Sequence, residues 1–137
     1  MDLSIYFKPS QRFGRSRPEW SAQTLGDGVT MFTQGKEFPE LTGMQIAIFG
    51  VLDDPGHSRP RSCISAPDFI RDELYKLHQP ATAIQLVDLG DIHPGASAAD
   101  TQHAVAETLA ELIRLKRADA QRRLEAAPAS AAPAKKN

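Results

Sequence analysis

The sequence predicts an α/β fold organised on one β-α-β-α unit, and three observations carry that expectation. An apolar run, Gln45-Ile-Ala-Ile-Phe-Gly-Val-Leu52, precedes a polar loop and a helical pattern, and a second apolar run, Ile84-Gln-Leu-Val-Asp-Leu89, closes at Gly90. The first run is apolar at successive positions, as in strands covered on both faces. A helix between two strands makes them parallel, joined by a right-handed crossover.

Residues 1–43 show no sustained period of 2 or 3.6, yet hold six of the nine aromatics: Tyr6, Phe7, Phe13, Trp20, Phe32 and Phe38. Pro9, Pro18, Pro39 and several glycines interrupt any long element. The expectation is an irregular arm whose rings dock on a neighbouring surface, with a short strand at Leu3–Phe7. Lys8, Arg12, Arg15 and Arg17 surround Phe13 and Trp20, but a solvated arm with buried rings explains them without a nucleic-acid partner.

Residues 44–115 carry the β-α-β-α unit. Ile46–Val51 form the first strand, and Gly50 lies near its C-terminal end, where open α/β sheets bind ligands. In the helix that follows, Ser65 or Ala66 stands near the cap, Pro67 suits the first turn and Asp68 faces the positive end of the dipole. Ile70, Leu74 and Leu77, joined by Phe69, form the stripe expected to be buried; Asp72 and Lys76 can pair on the wet side, and Pro80 ends the helix. After the second strand, Ile84–Leu89, the segment Ser97–Asp100 offers caps for a second helix with Val105, Leu109, Leu112 and Ile113 as its buried face. Residues 116–125 keep helix propensity but contain one large apolar residue, Leu124, and predict a helix extension into water. Residues 126–137, built from Ala, Pro, Ser, Lys and Asn, predict a disordered tail.

The totals narrow the function classes. At 137 residues the chain is one domain at most, and a net charge of −1 favours neither a nucleic-acid nor a membrane partner. Cys63 is the sole cysteine, which excludes an intrachain disulfide and fits a cytoplasmic setting. Neither a signal-peptide pattern nor an apolar run of about 18 residues is present, so the expected chain is water-soluble.

Candidate chemistry gathers at the C-terminal ends of the two strands. Asp88-Leu-Gly-Asp-Ile-His93 offers carboxylates and an imidazole to a divalent metal; the competing expectation is that Asp88 and Asp91 cap a turn and bond backbone groups. The loop 53–65 places His57, Arg59, Arg61 and Cys63 at the ligand edge, where arginine can hold a carboxylate by bidentate bonds. Cys63 would need a base to become a nucleophile. Gly50 to Gly56 matches no phosphate-binding pattern.

Read together, Ile46-Ala-Ile-Phe-Gly-Val-Leu-Asp-Asp54, Ser62-Cys-Ile-Ser-Ala-Pro-Asp-Phe-Ile-Arg-Asp-Glu-Leu-Tyr-Lys-Leu77 and Val87-Asp-Leu-Gly-Asp-Ile92 resemble the start of the arginase superfamily, and most closely its formimidoylglutamase-like branch. Ser4-Ile-Tyr-Phe-Lys-Pro9 resembles the opening of that branch, and Asp100-Thr101 the start of its second helix, so the resemblance spans roughly residues 3–115. It implies a three-layer α/β/α fold with a mostly parallel sheet, of which this chain would hold a pair of parallel strands. It also implies hydrolysis of a guanidino or formimino C–N bond by water bridging paired Mn ions.

The family holds those ions on a Gly-Gly-x-His-type segment after its third strand and on later Asp-x-His-x-Asp and Asp-x-Asp segments. None has a counterpart in this sequence, which continues instead through Lys116–Asn137. No catalytic, cofactor-binding or metal-binding residue therefore carries over; Asp88, Gly90 and Asp91 match family positions near the active-site edge that are not ligands. The family's third strand pairs with its first, so Ile46–Val51 is expected to keep an unpaired apolar edge. The resulting expectation is the N-terminal segment of a Mn-dependent hydrolase, without a cofactor of its own and inactive alone. Such a chain would be partly unfolded by itself, or held by self-association or by a protein partner at that edge. The alternatives are a stand-alone, non-catalytic interaction module and a small metal protein using Asp88, Asp91 and His93.

Overall fold

One strand pairs with every other strand in the sheet. In the computed structural model, which describes residues 1–52 and 66–128, Leu86–Ile92 (β4) is buried at all seven positions. Ile46–Val51 (β3) lies parallel to it on one side, with Ile46 opposite Leu86 and Val51 opposite Ile92. On the other side Thr30–Met31 (β2) runs parallel to Val87–Asp88, while Phe7–Lys8 (β1) runs antiparallel to Asp91–Ile92. The protein is thus mixed α/β, with a four-stranded mixed sheet. Its helices are a single turn at Leu25–Gly28 (α1), Ala66–Leu74 (α2) and Ala98–Ala126 (α3).

The arm supplies more of the sheet than its sequence predicts. A 3₁₀ turn at Leu3–Tyr6 replaces the strand expected there, and the extended backbone begins only at Phe7. Two-residue strands carry no detectable period, so β1 and β2 escape a pattern search. β4 also runs past Gly90, its expected end. Gly90 adopts a left-handed φ of 79°, and the register between β3 and β4 shifts between Ile48 and Gly50. That irregularity lets the strand continue, and His93 N–H donates to the Tyr6 carbonyl at 3.1 Å beyond it. A side chain at position 90 would collide with the Lys8 carbonyl, so glycine is required for space as well as for φ.

Alternate residues of β4 feed two apolar clusters, as strand geometry dictates. Val87 and Leu89 pack with Leu3, Phe7, Met44, Ala104 and Leu112; Leu86 packs with Phe13, Val29, Met31 and Tyr75. The arm's rings fill both. Phe7 lies 5.5 Å from Phe38 and 5.8 Å from Phe49, and Trp20 lies 5.3 Å from Tyr75, in tilted or edge-on contacts.

Both long helices bury the expected face only in part: Leu112 is buried and Leu74 and Val105 pack on the apolar clusters, while the other expected residues face outward. On α2, Asp68 and Arg71 are buried, whereas Phe69, Ile70 and Leu77 just beyond its end are 60%, 66% and 55% exposed. Lys76 pairs with Glu73 rather than Asp72, and Asp72 pairs with Arg12. The helix ends at Leu74, before Pro80. On α3, Ser97 and Asp100 form the reciprocal cap, in agreement with the expected start. Its inner face is Thr101, Ala104, Thr108, Glu111 and Leu112, while Leu109 and Ile113 are 45% and 52% exposed. The extension beyond residue 115 remains helical but is tethered: Asp119 is buried and accepts from Gly43 N–H at 3.1 Å, and Lys116 donates to the Met44 carbonyl. Of the tail expected at 126–137, residues 129–137 lie outside the described residues.

Thr108 is fully buried, and among the described residues its hydroxyl has no partner. Burying an unpaired hydroxyl costs about 1 kcal/mol or more, so Thr108→Val, of nearly the same shape, should raise the thermal midpoint by about 4 °C. Thermal unfolding followed by circular dichroism measures it; a lowered midpoint would show that the hydroxyl is in fact engaged.

Candidate functional site

The polar site is built from α2 and the C-terminal half of β4, and its centre is a residue that sequence reasoning passed over. The spacing of Asp68 and Arg71 on α2 and Tyr75 just past its end places these side chains on successive turns of one face. On β4, Asp88 and Asp91 flank the left-handed Gly90, and both are buried.

Arg71 is 2% exposed and spends all of its N–H groups on this cluster. Nε and Nη2 hold Asp88 in a fork at 2.8 and 3.1 Å. Nη1 donates to Asp91 Oδ1 at 2.7 Å and to Asp68 Oδ1 at 3.1 Å, and Nη2 donates again to the Gly90 carbonyl at 2.8 Å. Asp88 is equally committed. It accepts further from Gly90 N–H at 2.9 Å and from the Tyr75 hydroxyl. The Ser10 hydroxyl donates to Asp68, which draws the arm into the same network, and Ser10 Oγ accepts from Phe13 N–H at 3.2 Å.

Three carboxylates thus share one guanidinium, and the imbalance appears in their titration. Burial pushes the Asp91 carboxyl above its ordinary value; Arg71 opposes that shift, and the neighbouring Asp68 and Asp88 charges add to it. Burial alone would lower Arg71, but Asp88 and Asp91 outweigh it and hold the guanidinium charged. Burial and then the Asp88 charge push Tyr75 well above the usual phenol range, so it stays a neutral donor.

This chemistry holds rather than reacts. Arg71 has no spare donor, Tyr75 keeps its proton, and both oxygens of Asp88 are engaged. The Asp-Asp-His metal site is not assembled, because His93 is exposed while Asp88 and Asp91 turn inward to Arg71. Among the described residues no group of three His, Cys, Asp or Glu side chains is placed to hold a metal ion. These donors do not fit Mn, since a guanidinium occupies the centre of the only buried carboxylate cluster described. The expected turn-capping bond is present, in Asp88 accepting from Gly90 N–H. His57, Arg59, Arg61 and Cys63 lie outside the described residues.

The signal that would have identified the site was a polar stripe on α2 opposite its apolar one, matched by carboxylates in an otherwise apolar strand. Compared with known proteins, the chain matches no family model, no curated protein and no solved structure. Among the described residues no helix is long and apolar enough to cross a membrane.

Removing Arg71 leaves three carboxylates buried without a cation, which costs about 3–5 kcal/mol. Arg71→Met should therefore leave the chain largely unfolded by far-ultraviolet circular dichroism, and Arg71→Lys should not restore it, because an ammonium cannot reproduce the fork. A native urea midpoint in Arg71→Met would sink this account. Asp91 predicts a pH dependence of definite sign. Its folded pKa is raised, so its stabilising contribution is present below 3.8, the ordinary value, and is lost as pH rises through the folded value. Asp91→Asn keeps an acceptor for Arg71 and should flatten that decline. Urea midpoints measured from pH 4 to 7 check it, the expected outcome being a gap between variant and native chain that widens toward neutrality.

Proposed function

We propose that this chain is the N-terminal segment of an arginase-like, formimidoylglutamase-like hydrolase that performs no chemistry alone and offers the open side of β3 to the polypeptide that completes the sheet. The completed protein would hydrolyse a guanidino or formimino C–N bond with Mn supplied by the completing segments. The observation that carries this reading is the contrast between a closed polar site and an open edge. The carboxylates of β4 are consumed by Arg71, while among the described residues β3 pairs only with β4.

The order of elements supports the same reading. The two longest strands are adjacent and parallel, with α2 between them in sequence, as the three-layer arrangement of that family requires. The arm strands β1 and β2 already occupy the far side of β4, so the long open edge of the sheet is the one at β3. A second reading, a stand-alone interaction module, is favoured by the exposed Ile46, Val51, Leu109 and Ile113 beside that edge.

The discriminating measurement is turnover by the purified chain with added Mn, using formiminoglutamate and arginine as substrates. Product formation should stay at the level of buffer with Mn alone. Turnover that follows the protein through purification would overturn the assignment of a non-catalytic segment.

A further inference from the structure

We draw no further inference here: the strongest candidate, the edge of β3 left unpaired among the described residues together with the apolar groove that Leu109 and Ile113 line beside it, carries nothing more because nothing in the structure shows what covers it.

Discussion

The fold depends on one buried guanidinium. Arg71 joins α2 to β4 through Asp88, Asp91 and the Gly90 carbonyl, and reaches the arm through Asp68 and Ser10. These groups lie far apart in sequence, so the network fixes how three stretches of chain meet. Magnitudes explain why it wins over hydrophobic burial. Leaving Phe69, Ile70 and Leu77 largely exposed forgoes about 1–2 kcal/mol each. A buried carboxylate without a partner costs several kcal/mol, and β4 contributes two. Once Asp88 and Asp91 are inside, α2 must present Arg71 to them, whatever its apolar face prefers.

Buried ion pairs are weak evidence of net stability, because desolvation offsets much of their attraction. Their effect here is better described as choice of orientation. α2 carries a polar and an apolar stripe, and hydrophobicity alone would dock the apolar one. The five bonds made by Arg71 exclude that alternative, since no rotated or shifted helix could satisfy the same acceptors.

The consequence reaches the surface. With the polar face of α2 turned in, Ile70 joins Val51 on one flank of β3. With Thr101, Thr108 and Leu112 of α3 turned in, Leu109 and Ile113 line the other. Of the outward apolar residues, Ile46, Val51, Ile70, Leu109 and Ile113 thus lie along the sheet edge at β3. A closed polar centre and an open apolar edge lie side by side among the described residues.

The strand runs at 46–51 and 84–89 were legible because their apolar residues are continuous, and the cap at Ser97 because it uses a local motif. The arm strands were not, because two-residue strands exist only where β4 offers partners. Nor was the site: Asp68 had a sufficient local explanation at a helix start, and Arg71 resembled any solvent-facing charge.

By itself, then, the sequence determined the parallel strand pair, the intervening helix and the start of the last helix, all properties of periodicity and local capping. Only the tertiary structure decided which helix faces are buried, because that choice turns on carboxylates that β4 carries into the interior. It also decided where β4 ends. Gly90 reads as a stop in isolation, but against β1 and the shifted register of β3 it becomes the residue that lets the strand continue.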